Sequence, residues 1–474
     1  MSRLLRLAVT VLGIFLRRYL YFLTHPARLW DWSVKKLRVR NLYSRSGSAS
    51  VLPRRNMAVP SQPAPSGALP SRSKPHILYL TPFIPYPPMD GGKKRVLTIL
   101  QLLADRYRFS VLSFVENQDQ VWNAPFMKKW CENVYVVPRN MSEPEGPDAG
   151  SLPNIARMCH SAEMVQKLRQ VLSSEKFDMV HIEFVQMAQY RPLIKDIPVV
   201  FTEHDVSNMS FFKSYFREMT GWERWKRIGE WMRLVKYQMD SCREMDGVVT
   251  VTPHDRDKLL SFMPSVRVES ITTGVDLTHF KFRSALAKKM KSGEANLVYV
   301  GHYLHYPNED AILYFAREVF PRIVRQCPIA RLWVVGSGPT EAVKELEKDS
   351  RIRVTGAVPD VLPYIEKADI FVAPLRLGEG IKGKILEAMA VGVPVVTTPV
   401  GAWGLDVEPG RDLLVGRTPQ EFADETVRLI FDRELRKQLI RRGRQLVVQN
   451  YSWHNLADQL DGFYRSILEK KTAQ

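Results

Sequence analysis

Two glutamates separated by seven residues, Glu379 and Glu387, bracket a run that contains Gly378, Gly380, Gly383, Lys382 and Lys384. Glycines at this density let the backbone turn tightly and present its amides, and the lysines add cations, so the stretch suits an anion such as a diphosphate. The elements on either side fit that use. Ile370 to Ala373 is an apolar strand that leads into the turn, and Leu386 to Ala390 are good helix formers that follow it. Gly392 stops that helix and Pro394 bars its return. A helix start aimed at the turn puts the positive end of its dipole on the anion, with Glu379 on the turn and Glu387 inside the helix on either side.

The same unit, strand then glycine turn then helix, recurs along the chain. Leu297 to Val300 run into Gly301, and Arg331 to Val335 run into Gly336 and Gly338, with Ala311 to Arg325 reading as one amphipathic helix between them. Earlier, His76 to Leu80 form a buried-strand pattern, after which Asp90, Gly91 and Gly92 open a helix that runs through Leu103. Strand-like runs follow at Ser110 to Phe114, Val134 to Val137, Met179 to Ile182, Val199 to Phe201 and Val248 to Thr252, with gaps long enough for crossover helices. This predicts α/β architecture with doubly wound parallel sheets. Ligands of such sheets gather at the carboxyl ends of strands, which draws attention to His204 and Asp205 just after Val199 to Phe201.

Other chemistry is weaker. The aromatic residues between 208 and 243 have helical spacing and read as core. Asp255, Arg256 and Asp257 open a helix after Pro253 and read as capping and surface charge rather than as metal ligands. Four cysteines, Cys131, Cys159, Cys242 and Cys327, lack metal-ligand spacing and read as buried thiols, with neither a disulfide framework nor a zinc site. The chain carries a formal charge of +18, but residues 1–60 supply +11 of it, leaving +7 for the remainder, so a nucleic-acid partner is not indicated.

That basic N-terminus has its own pattern. The apolar run Leu7 to Leu16 falls short of the roughly 20 residues needed to span a bilayer. At about 100° per residue, Arg3, Arg6, Thr10, Gly13, Arg17 and Tyr21 share one arc and apolar side chains fill the rest. Residues 1–42 therefore read as a basic amphipathic segment for an anionic membrane surface, on the cytoplasmic face, and residues 43–75 as a proline- and serine-rich linker.

Taken together, the Glu379 to Glu387 spacing and the continuation Leu386-Glu387-Ala388-Met389-Ala390, with Pro394-Val395-Val396-Thr397-Thr398, resemble the family 4 (group 1) retaining glycosyltransferases of the GT-B fold. The resemblance runs over residues 76–468. It implies two Rossmann-like domains facing a central cleft: 76–276 for the acceptor, 277–450 for a nucleotide-sugar donor, and a C-terminal helix, 451–474, that crosses back to the first domain. It implies sugar transfer from a nucleotide-diphosphate sugar to a lipid-linked, polysaccharide or other glycan acceptor, with retention, no metal and no resident cofactor. In that setting Glu379 faces the donor sugar, Glu387 binds the ribose hydroxyls, His204 lies near the donor sugar, and Lys382 with Lys384 meets the leaving diphosphate. Gly301, Gly336, Gly338, Gly378, Gly380 and Gly383 line the donor, and Gly91, Gly92 and Asp205 the acceptor and phosphate loop. The family's arginine and lysine after the glycine equivalent to Gly301 are absent, since the segment reads His302-Tyr303-Leu304-His305-Tyr306-Pro307-Asn308. A nucleotide-sugar epimerase of the same fold and a non-catalytic membrane-associated scaffold are the alternative readings.

Overall fold

A computed structural model describes residues 74–472 except 89, 140–151, 205, 207–220, 284–292 and 379. The N-terminal amphipathic segment, most of the linker, Asp205 and Glu379 thus lie outside the described residues. Two parallel sheets organise the rest. The first comprises β1 (His76–Thr81), β2 (Arg108–Val115), β3 (Asn133–Pro138), β4 (Met179–Glu183), β5 (Val199–Glu203), β6 (Gly247–Thr250) and β7 (Val268–Ser270), in the order 3-2-1-4-5-6-7. The second comprises β8 (Ala295–Val300), β9 (Ala330–Val335), β10 (Ile352–Gly356), β11 (Ile370–Ala373), β12 (Val395–Thr397) and β13 (Leu414–Val415), in the order 10-9-8-11-12-13.

All pairings between these strands are parallel, and β1, β4 and β11 beside the switch points are buried along their whole length, as a sheet covered by helices on both faces requires. Both orders reverse direction beside the first strand of their sheet, between β1 and β4 and between β8 and β11. At such a switch point the connections leave in opposite directions and open a crevice at the carboxyl ends.

Helices supply the covering layers: α1 (Gly91–Leu103), α2 (Ala162–Ser174), α3 (Gly221–Arg243), α4 (Pro253–Phe262), α5 (Tyr306–Tyr314), α6 (Gly383–Val391), α7 (Pro419–Phe431), α8 (Arg433–Asn450) and α9 (Trp453–Thr472). Their starts are legible in local chemistry: Asp90 caps α1, Thr252 caps α4, Thr418 caps α7 and Asp432 caps α8, each accepting from a backbone amide three residues on. Three details differ from the sequence expectation. Asp255 is buried, its carboxylate bonded to the Thr252 hydroxyl at 2.7 Å, so it is an inward-facing part of the cap rather than surface charge. The helix expected over Ala311 to Arg325 starts earlier, at Tyr306, and passes through a π turn at Phe315–Val319 before continuing as Phe320–Gln326. Pro321 lacks the amide that would bond the Arg317 carbonyl, and the ladder widens there. Residues 410–416 read from the sequence as a strand and turn, and of these only Leu414–Val415 is strand.

The last helix belongs by packing to the first sheet. Leu456, Leu460, Tyr464 and Ile467 form a buried stripe in the same core as Tyr79, Ile99, Leu103 and Phe109. Arg106 pairs with Asp458 at 2.5 Å and with Asp461 at 3.1 Å, and the Tyr107 hydroxyl donates to Asp461 at 2.7 Å. To reach that position the chain crosses between the sheets twice, and the two crossings touch. The Val275 amide donates to the Tyr451 carbonyl at 2.7 Å, and a Cβ on Gly274 would lie 2.7 Å from the Trp453 ring. Phe280 and Phe282 both read from the sequence as plugs of this hinge; Phe280 is buried beside it, while Phe282 is 40% exposed and does not plug it. All four cysteines are buried free thiols.

Candidate active site

The candidate residues converge where the carboxyl ends of the two sheets face each other. Gly91 and Gly92 follow β1, His204 follows β5, Gly301 follows β8, Gly336 and Gly338 follow β9, and Gly378, Gly380 and Lys382 follow β11. Gly378 and Gly380 have φ of +107° and +69°, the left-handed region open to glycine, so the turn after β11 depends on them. It leads into α6, which starts at Gly383 and ends at Gly392 with φ +97°.

Lys382 is buried and its ammonium donates to the Gly380 carbonyl at 2.7 Å, within the turn itself. Lys384, the second residue of α6, is partly buried. Its Nζ donates to Asn308 Oδ1 at 2.8 Å and to the Tyr299 hydroxyl at 3.3 Å, and lies 4.6 Å from the centre of the Tyr299 ring. Withdrawal from water pulls its pKa down to about 7; Glu387 opposes that shift and Lys382 adds to it. Asn308 is itself held by donating to the His302 carbonyl at 3.0 Å. The segment after Gly301 therefore contributes an amide that fixes a lysine from α6.

Glu387 lies in the next turn of α6 and reaches across the cleft. Its Oε1 is 3.3 Å from the ammonium of Lys94 on α1, and its side chain is 18% exposed against 42% for Lys94. Gly301 and Gly336 meet each other: a Cβ on Gly336, whose φ is +132°, would sit 1.9 Å from the Gly301 carbonyl oxygen. One on Gly338 would lie 2.7 Å from Leu304. Close packing of adjacent turns thus accounts for glycine at 336 and 338.

On the opposite wall, His204 Nε2 is 2.7 Å from Glu183 Oε2, and its ring stacks on Phe184 with centroids 3.7 Å apart and planes 4° from parallel. Phe184 is in turn packed on the α1 turn, because a Cβ on Gly92 would lie 2.8 Å from its ring, whereas one on Gly91 would meet nothing within 4 Å. Glu183 is fully buried. Burial alone would raise its pKa, but the hydrogen bond from His204 and the charges of His181, His204 and Arg95 bring it below the usual carboxylate value. The ionised carboxylate accepts, so His204 donates from Nε2. Behind it, His181 bonds Thr202 at 2.7 Å and the Tyr464 hydroxyl at 2.5 Å, and Tyr464 bonds Tyr79 at 2.5 Å, so α9 reaches into the floor of the site. Burial lowers the pKa of His181 to about 4. The buried Arg95 donates to the Thr272 carbonyl at 2.6 Å, tying α1 to the first crossing segment.

The structure thus brings together His204, Lys382, Lys384, Glu387 and the glycines of both halves. Four residues that sequence reasoning did not single out also belong to the arrangement: Lys94, Glu183, Tyr299 and Asn308. Only Glu183 left a signal, a carboxylate at the end of a strand one position from the strand that carries His204. Among the described residues, no three His, Cys, Asp or Glu side chains cluster so as to hold a metal ion, and no helix is long and apolar enough to cross a membrane.

Comparison with known proteins covers both halves. Residues 89–279 match the family model described as Glycosyltransferase Family 4, and residues 294–432 match that described as Glycosyl transferases group 1. A GDP-mannose-dependent alpha-(1-6)-phosphatidylinositol monomannoside mannosyltransferase of Mycobacterium tuberculosis is 30% identical over 241 residues, a match that spans 46% of this chain and 62% of that protein, a little under two thirds of its length. A D-inositol 3-phosphate glycosyltransferase of Corynebacterium efficiens is 25% identical over 61% of this chain and 71% of its own. Among solved structures, sucrose-phosphate synthase of Thermosynechococcus elongatus superposes with a TM-score of 0.58 at 15% identity, covering 84% of this chain and all of that one. Anabaena HepE in complex with UDP-glucose superposes with a TM-score of 0.57 at 16% identity, covering 82% and 99%. These structural likenesses concern the fold.

Proposed function

The chain belongs to the family 4 (group 1) glycosyltransferases of the GT-B fold, and from that premise we propose that it moves a sugar from a nucleotide-diphosphate sugar to a lipid-linked or other glycan acceptor. The observation that carries this reading is the assembly around α6: a glycine turn, two lysines and Glu387 at one sheet's carboxyl end, facing Lys94 and the His204 wall at the other's. The relatives named for phosphatidylinositol mannoside and inositol phosphate support a lipid-linked or polyol-phosphate acceptor. Attachment to an anionic cytoplasmic membrane face through residues 1–42 belongs to the same reading.

The chemistry follows from the charges. Departure of a nucleoside diphosphate concentrates negative charge on the leaving group and leaves an oxocarbenium-like sugar, so fixed amides and cations act most in the transition state. The α6 start and Lys382 are set for the leaving group, Lys384 supports them, Glu387 takes the ribose hydroxyls, and Glu379 and His204 attend the sugar. Transfer with retention, and without a metal or resident cofactor, completes the proposal.

Thermal shifts of the protein against a panel of nucleoside diphosphates and nucleotide sugars test it, because binding to the folded state raises the midpoint with concentration. A shift for one nucleotide that Glu387→Ala abolishes is the expected result, together with transfer slowed at least 100-fold by Glu379→Ala or Lys382→Ala, in line with the roughly 10²–10³-fold loss on removing one such stabilising group. Absence of any nucleotide shift would refute the donor site. Conversion of the donor to its epimer without acceptor would replace transfer by epimerisation.

A further inference from the structure

We propose that Lys94 is a ligand of the donor diphosphate supplied from the half of the molecule opposite α6, parked on Glu387 in this structure and released to the phosphates when ribose hydroxyls take that carboxylate. The inference rests on the donor reading given above and adds a residue to it.

The first argument is the pair itself. Lys94 Nζ and Glu387 Oε1 are 3.3 Å apart and belong to elements 293 residues apart in sequence, one in each half of the molecule. With Lys94 42% exposed, such a pair contributes little to stability, so holding the halves together is a poor account of it. For the same reason it exchanges readily. The second argument is direction. The neighbouring Lys93 turns to the Phe83 ring, 5.7 Å from its centre, whereas Lys94 passes Phe280 at 5.9 Å and points to α6. Phe280 is buried at the hinge and forms a wall that confines the lysine stem to the cleft.

The third argument is the balance of charge. A leaving diphosphate carries at least two negative charges. The two lysines at the α6 start are already engaged, Lys382 with the Gly380 carbonyl and Lys384 with Asn308 and Tyr299. Lys94 is a partly exposed ammonium with a long flexible stem, at the same place. The fourth argument is connectivity in the ligand. Glu387 offers two acceptor oxygens, which suit vicinal hydroxyls, and the diphosphate hangs from the other side of that same ribose. An ammonium displaced from the carboxylate by the ribose is left one sugar ring from the phosphates, within the swing of a lysine side chain.

The test compares UDP and GDP with uridine and guanosine on the full chain by isothermal titration, for the native protein and for Lys94→Gln and Lys94→Arg. The expected result is a loss of roughly 10- to 100-fold in diphosphate affinity for Lys94→Gln, the range for a charge-assisted hydrogen bond, with nucleoside affinity unchanged or higher and with Lys94→Arg restoring much of the loss. Equal weakening of diphosphate and nucleoside would overturn the assignment. So would tighter binding of both, which would make Lys94 only a competitor for Glu387. If the native protein bound neither UDP nor GDP nor any other nucleoside diphosphate, the donor reading itself would fall, a result distinct from any of these.

Discussion

Replacing Lys384 by methionine should remove a proton-linked contribution to folding that is visible between pH 6 and pH 9. The lysine has an ordinary pKa of 10.5 and a folded value of about 7, lowered by withdrawal of its ammonium from water. Between those values the unfolded chain holds the proton and the folded chain does not, so stability rises with pH through that window. The slope approaches about 1.4 kcal/mol per pH unit for one proton. From pH 6, where both states are protonated, to pH 9, the native protein should gain roughly 2 kcal/mol relative to Lys384→Met, after allowance for the partial exposure of the side chain. Urea denaturation of both proteins at three pH values measures this, and taking the difference cancels groups that titrate alike in the two. The same lysine should recover its proton when a diphosphate sits beside it, so UDP binding at pH 8 should take up close to one proton, read as a dependence of binding heat on buffer ionisation enthalpy. A stability difference that stays flat from pH 6 to pH 9 would refute the electrostatic reasoning, and proton-neutral UDP binding would remove Lys384 from the phosphate site.

Two further substitutions probe the walls of the cleft. Glu183→Gln removes the buried charge that opposes Arg95 and orients His204, and should lower stability by roughly 3 kcal/mol, as breaking a buried ionic network does; an unchanged denaturation midpoint would show that the carboxylate is not ionised. Gly336→Ala forces a Cβ to 1.9 Å from the Gly301 carbonyl at a φ of +132° and should cost at least about 3 kcal/mol, whereas Gly91→Ala, with nothing within 4 Å, should change stability by less than about 1 kcal/mol. Equal midpoints for the two alanine variants would refute the packing argument for Gly336.

What was legible in the sequence is what neighbours along the chain decide. The strands at Ile77 to Leu80 and Ile370 to Ala373 are continuous apolar runs because both faces are covered, and α1 and α6 show their ends through Asp90, Gly91 and Gly392. The π turn at Phe315–Val319 was hidden, since Pro321 acts on a carbonyl four residues back without disturbing the apolar spacing. The site divides in the same way. Gly378, Gly380, Lys382 and Glu387 share one turn and one helix, so their spacing is informative. Lys94 with Glu387, Asn308 with Lys384, and Glu183 with His204 are joined only by the order of strands in the two sheets and the way the sheets face. No local pattern encodes those pairs, yet they set the charge state of the cleft: one carboxylate is ionised by its histidine, one lysine is partly discharged by its enclosure, and one ion pair spans the halves. A motif can therefore locate the anion site while the cations that serve it are decided by tertiary structure, which is why the lysine on α1 emerged only from the folded chain.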